Sequence, residues 1–444
     1  MGVCSTAIES FNYNTCVLEY TFSDVITFSK VVQITEDLTL FDFNDSVEII
    51  LNKDVLSPDY IPPRIVGRDE QIKQVASLTK YLFRNGKPDN ALIFGPPGCG
   101  KTVVSKHVLR SLVAKLKQDP IDVKVEWVYI HCKKVYTSTA IIYTLIKHLD
   151  PITKIPMSGH SLNYYYDELF KLMNNKNTAM ILILDEIDFL SSDNVLYNFS
   201  RAVANEELND GRFISVIGLS NSIKYEQKID DRVLSSMGFV KFRFPPYYAD
   251  PIYQILKDRV DLAFAPESIS NELLIQCSID AAHAGGDIRK ALGVLRTAAE
   301  IAVANGTNII LQEHLRSAET QVQMEEIIKS VVELPKHHKL VLLSIIKLIG
   351  GTKTSVHTGE VMKMYIMLCS QINMKHLDDS MVSKAISSLE LQSFIHYVKV
   401  NIGKRGGMTR SISLRSEDVD EIKRGIYEDY DLEVLEEYFP AALT

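Results

Sequence analysis

The chain has 444 residues, 46% hydrophobic and 23% charged, which suits two or three soluble globular domains with cores of their own. Its longest apolar runs, such as AMILIL (179–184), are too short to cross a bilayer. No basic segment followed by a long apolar one opens it, and its six cysteines form no C-x-x-C pair, so a membrane span, a secretory leader, a disulfide framework and a zinc site are not expected and a reducing cytoplasm is. The net charge of −8 speaks against a uniformly basic nucleic-acid binder. Ten acids and two bases fall within 416–444, however, leaving 46 basic and 46 acidic groups elsewhere and room for a local basic surface.

Residues 1 to about 45 show no helical period and no motif, and form an arm without an assigned role. SPDYIPPRIVGRDEQI (57–72) is an extended, proline-marked entry into a helix that starts near Asp69. NALIFG (90–95) is a short buried strand, followed by a glycine-rich loop and a helix through about Leu116. VEWVYIHC (125–132), MILILDE (180–186), FISVIGLSN (213–221) and VKFRF (240–244) are further strands. Helical stretches separate them, which predicts a mostly parallel α/β sheet with helices on both faces and a core over 46–248. Strand signals stop after FPPYY (244–248), and a small all-α domain is expected over 249–334. A third unit, 335–444, opens on KHHKLVLLSIIKLI and closes with two alternating strands around a Gly-rich turn (391–415), the pattern of a winged helix.

Gly95-Pro96-Pro97-Gly98-Cys99-Gly100-Lys101-Thr102 matches G-x-x-x-x-G-K-S/T in full, between a predicted strand and a predicted helix. Backbone N–H groups from Gly95, Gly98, Cys99, Gly100 and on through Val103 can wrap phosphates, Lys101 can reach the β/γ oxygens, and the Thr102 hydroxyl can bind Mg²⁺. Cys99 reads as a small filler. ILILDEIDFL (181–190) ends a strand in Asp185, which can hold Mg²⁺, and Glu186, which can polarise a water. Asn221 closes the strand VIGLSN, where an amide could sense a γ-phosphate; alone it would read as a turn residue. GGDIRKAL (285–292) opens a helix with Asp287 as its N-cap and carries Arg289, which could reach back to the nucleotide or simply be solvated.

Together these residues resemble the AAA+ ATPases, and within them the archaeal origin-recognition and Cdc-type replication initiators. The resemblance spans about Leu56 to Leu435 and rests on DYIPPRIVGRDEQI, GPPGCGKT, LDEIDFL, GLSN, FPPYYADPIYQILKDRVDLAF and GGDIRKAL. It implies an AAA+ core, an all-α lid and a C-terminal winged helix, with ATP or ADP and Mg²⁺ bound. Arg64 to Gln71 would lie near the adenine, Tyr247 and Arg259 would cap the nucleotide from the lid, and Arg232 would reach a neighbouring subunit's nucleotide. Residues from Lys133 to about Tyr166 would include an insertion that touches duplex DNA, modestly basic through Lys133, Lys134, Lys147 and Lys154.

The winged helix would make the second DNA contact through Lys404, Arg405 and Arg410, in a stretch without an acid from Leu391 to Ser416. The expected recognition helix, DDSMVSKAISSLELQ (378–392), departs from the family by opening on two acids and offering only Lys384 as a base. Backbone-led binding follows better than base reading. The implied function is an ATP-dependent initiator, a weak ATPase that binds origin duplex DNA, self-associates there and recruits or loads an MCM-type helicase, in a cytoplasmic, nucleoid-associated setting. A signalling NTPase that uses its winged helix for protein contacts fits the neutral body and acidic C-terminal segment. A clamp-loader-like ATPase is disfavoured by the winged helix.

Overall fold

The structure is a computed structural model that describes residues 48–57, 60–84, 86–350, 354–401, 408–415 and 418–438. The N-terminal arm expected over 1–45 lies outside the described residues.

Five strands, β1 (Ala91–Phe94), β2 (Lys124–His131), β3 (Thr178–Asp185), β4 (Ile214–Ser220) and β5 (Val240–Arg243), form one sheet in the order β2-β3-β4-β1-β5. Every pairing is parallel. Strands buried on both faces must be apolar throughout, and β3 shows how the period of two then divides the side chains. Met180, Leu182 and Leu184 join one cluster, packed under α3 (Ser138–Leu149), α4 (Leu162–Asn175) and α5 (Asn194–Arg201). Ala179, Ile181 and Ile183 join the other, under α1 (Asp69–Ser77) and α2 (Lys101–Gln118). The sheet is therefore a layer between two helical faces, and its carboxyl edge carries the loops after β1, β3 and β4. A short α6 (Asp231–Met237) precedes β5.

The inserted region 133–166 divides. Ile141, Ile142, Leu145 and Ile146 of α3 and Tyr165, Leu169 and Phe170 of α4 are buried on the sheet. Exposure concentrates in the connection between the two helices, where Ile152 and Met157 face solvent and His160 stacks on Tyr164 at 4.2 Å.

The lid comprises α7 (Ala249–Ala263), α8 (Asn271–His283), α9 (Ile288–Ala304) and α10 (Gln312–Val332). Residues 49–56, which run toward the core in sequence, pack here: Ile49, Val55 and Leu56 share a cluster with Ile252, Leu256 and Leu295, and Ile50 bridges Phe264. Their apolar side chains find no place on a sheet whose faces are already covered, so they close the open side of a small helical domain.

The third unit is built on α11 (Lys336–Ile349), β6 (Val356–His357), α12 (Thr358–Gln371), α13 (Asp379–Leu391), β7 (Ile395–Asn401), β8 (Met408–Leu414) and α14 (Val419–Tyr427). Its antiparallel sheet, ordered β6-β8-β7, completes a winged helix with α13 in the recognition position. Asp378 caps α13 by accepting from Met381 N–H, so the first of the two acids serves the helix terminus. α10 runs out of the lid and α14 packs directly against it: a Cβ at Gly425 would lie 2.8 Å from both Ile328 O and Val331 Cβ. Gly425→Ala is expected to cost about 1–3 kcal/mol by overpacking this joint, read as a lowered melting temperature with no change in nucleotide affinity.

Candidate nucleotide site

The loop between β1 and α2 turns through residues with positive φ. Gly98 (+67°) and Gly100 (+90°) hold left-handed conformations that a side chain would strain, and a Cβ at Gly98 would also overlap the Asp287 carboxylate of the lid. Lys101 opens α2 and is buried. Its ammonium donates to Gly95 O (2.8 Å), Pro96 O (2.9 Å) and Asn221 Oδ1 (2.8 Å), so the amide expected at the end of β4 meets the loop lysine directly. Burial lowers the pKa of Lys101 from its ordinary value, offset in part by Cys99 and Asp185. Cys99 is fully buried with its thiol pKa pushed up by burial, which suits a filler rather than a nucleophile.

Asp185 stands at the end of β3. Its Oδ2 accepts from Thr102 Oγ1 (2.7 Å) and Tyr129 OH (3.0 Å), and its Oδ1 accepts from the Glu186 N–H (3.0 Å). The next residue leaves the strand with φ +52°, turning the Glu186 side chain toward the end of β2. There His131, in register with Asp185, places Nδ1 3.8 Å from Glu186 Oε2. Both atoms are buried without a hydrogen-bond partner. Oxygen donors from Thr102 and Asp185, with an unpartnered carboxylate oxygen beside them, fit a hard cation such as Mg²⁺ and a water.

These groups line one cavity of about 790 Å³. Its floor is Gly98, Gly100, Lys101 and Thr102, with Asp185, Glu186 and Asn221 beyond. Tyr60, Ile61, Pro62, Arg64, Ile65 and Val66 form one wall. The segment leading into the lid supplies Tyr247, the lid supplies Arg259 and Arg289, and α10 contributes Glu326, Lys329 and Ser330, followed by its C-cap Glu333. Arg259 is buried, donates to Val55 O (3.1 Å) and lies 4.2 Å from the Tyr60 ring centre; burial lowers its pKa from the ordinary value. Arg289 reaches the cavity but pairs with Asp287 at 3.3 Å. Arg232 is apart from the cavity, 80% exposed and paired with Asp230 at 2.7 Å.

The comparisons with known proteins come down on one family. Residues 85–218 match the AAA domain, 253–320 the Cdc6 AAA+ ATPase-type lid domain, and 329–424 the CDC6 C terminal winged helix domain. The ORC1-type DNA replication protein 1 of Methanosarcina mazei is 34% identical over 398 residues, 89% of this chain and 94% of that protein. Its counterpart from Archaeoglobus fulgidus is 33% identical over 90% of this chain and 96% of that one. The chain belongs to the Orc1/Cdc6 family of DNA replication proteins. Among solved structures, the Aeropyrum pernix ORC1 protein in complex with DNA superposes with a TM-score of 0.75 at 32% identity, covering 87% of this chain and 99% of that one. The fold is accordingly the AAA+ core, lid and winged helix of Orc1/Cdc6 proteins, a nucleotide-binding architecture.

In this Orc1/Cdc6 chain the expected winged-helix bases have separate fates. Lys384 is exposed on α13, whereas Lys404 and Arg405 lie outside the described residues. Arg410 turns inward: it donates to Ser383 O (3.0 Å) and Ser387 Oγ (3.1 Å) and rests 4.4 Å from the Tyr397 ring centre, tying β8 to α13. Lys399 on β7, exposed and paired in register with Arg410, was not singled out by the sequence. Lys133 is held by Glu333 at 2.6 Å, joining the inserted region to the end of α10. Sequence reasoning also missed Tyr129 and His131, although the alternation Trp127-Tyr129-His131 in a strand beside β3 signals one face aimed at Asp185.

Proposed function

We propose that this protein is an ATP-switched initiator that binds duplex DNA at replication origins and helps recruit the replicative helicase. The observation that carries the switch is that the C-terminal turns of α10 line the nucleotide cavity with Glu326, Lys329 and Ser330, and its C-cap Glu333 with them, while Ile328 and Val331 of the same turns pack on α14 of the winged helix. A ligand that repositions one helix at the cavity thus acts on the DNA-facing unit through a continuous packed element. Lys101 would hold the phosphate oxygens, and Asn221 and Arg289 would respond to the γ-phosphate. Thr102 and Asp185 would hold Mg²⁺, which supplies neutralisation of phosphate charge when bound. Glu186 would take the proton of the attacking water at its unpartnered Oε2, with slow turnover resetting the switch. Arg232, exposed on α6, would exchange its pairing with Asp230 for the nucleotide of a neighbouring copy assembled on DNA.

DNA would be held at two places. Lys384 on the recognition helix and Lys399 on β7 offer exposed bases, the sequence adds Lys404 and Arg405, and the exposed connection between α3 and α4 presents Lys154 with Ile152 and Met157. The Aeropyrum pernix structure in complex with DNA supports this assignment by likeness. Fluorescence anisotropy on duplex DNA across a salt series, with ADP and with ATP, tests it. Salt-sensitive binding that differs between the nucleotides is expected. Absence of binding at low salt with either one overturns the proposal and favours a protein partner for the winged helix.

A further inference from the structure

Arg68 is 4% exposed and belongs to GRDEQ, the stretch expected near the adenine. It is not among the residues lining the cavity. Its Nε donates to Cys99 O of the phosphate loop (2.9 Å) and its Nη2 to Pro245 O (2.7 Å), in the segment that leads from β5 into the lid. The guanidinium carbon rests 3.7 Å from the centre of the Tyr247 ring. Tyr247 in turn abuts the lid, since a Cβ at Gly286 would lie 2.8 Å from Tyr247 N, and the adjacent Asp287 packs on Gly98. The contacts close a circuit from phosphate loop to Arg68, to the hinge, to the head of α9 and back to the loop.

We infer that Arg68 is a positioning residue that sets the direction of the phosphate-loop amides and couples it to the lid hinge. In a planar trans peptide the C=O and the following N–H point opposite ways. Gripping the Cys99 carbonyl from outside the cavity therefore aims the Gly100 N–H to the other side, where Gly100 lines the cavity. The second arm of the same rigid fork holds Pro245, so the loop and the hinge cannot move independently. A lysine keeps the charge but offers one compact donor group and no planar face for Tyr247. The inference rests on the nucleotide switch proposed above.

The test measures ADP and ATP dissociation constants and the nucleotide-free melting temperature for wild type, Arg68→Lys and Arg68→Ala. Backbone amides at this point of the loop address the α- and β-phosphates. Both nucleotides should therefore weaken by the same factor, at least tenfold, unlike a γ-phosphate sensor, whose loss affects ATP alone. Added guanidinium should restore binding to Arg68→Ala, whereas ethylammonium should not. Leu145→Ala, in α3 on the opposite sheet face, supplies a destabilised control expected to bind within twofold of wild type below its melting point. Arg68→Lys binding within twofold of wild type overturns the inference. So does a loss that Leu145→Ala reproduces and guanidinium does not restore. A wild-type chain that binds neither nucleotide overturns the switch itself, and this role with it.

Discussion

Lys101→Ala is expected to weaken ATP and ADP binding roughly 100-fold, the loss of charge-assisted hydrogen bonds worth about 3 kcal/mol at a buried site. The ammonium is held by three oxygen acceptors at 2.8–2.9 Å, so the substitution also releases Asn221 and the Gly95 and Pro96 carbonyls from their shared donor. Isothermal titration with each nucleotide reads the effect. If α10 carries the signal, nucleotide-dependent DNA binding should vanish in the same variant while nucleotide-independent binding remains. Glu186→Gln separates the next step. It should bind nucleotide normally and lower turnover by roughly 10²–10³-fold, as expected for loss of a positioned general base. Single-turnover hydrolysis at the wild-type rate would remove Glu186 from that role and direct attention to its neighbour His131.

The winged helix yields the second large effect, and it separates Arg410, which the fold engages, from the bases of the 402–407 sequence. Lys404→Ala with Arg405→Ala should reduce the slope of log affinity against log salt by about 2 and weaken duplex binding roughly 10- to 100-fold at moderate salt, with no loss of stability. Arg410→Ala should behave differently. It abandons Ser383 O, Ser387 Oγ and the Tyr397 face, so it is expected to destabilise the unit by about 1–3 kcal/mol and to weaken DNA binding by loosening α13 from β8. Circular-dichroism melts beside anisotropy titrations distinguish the two. An Arg410→Ala chain with unchanged melting and a reduced salt slope would return Arg410 to the phosphate-contacting group.

The nucleotide site was legible because its chemistry is local. The loop Gly95–Thr102 carries its own spacing, and a strand that must be apolar on both faces announces its end when Asp185 and Glu186 appear. The winged helix was legible for the same reason, since helices and a glycine-turned hairpin each follow short periods. Placing Lys101 on Asn221 required only that two parallel strands, β1 and β4, lie side by side.

Position along the chain determined which residues could serve, but not which were already engaged. Arg68 and Cys99 are 31 residues apart, and Lys133 and Glu333 are 200 apart; no period relates them, so only the packed structure could show the loop brace or the tie to α10. Arg410 looked like a phosphate-binding base because its neighbours are basic, yet a guanidinium that finds a carbonyl, a hydroxyl and an aromatic face together is held there instead. The segment 49–56 likewise went to the lid because the sheet had no uncovered face to offer it. Sequence alone thus determined the phosphate-loop motif, the acids that end β3 and the order of the three units. Tertiary packing decided which charged side chains brace the protein and which remain available to a ligand, because burial and competing acceptors act between residues far apart in the chain.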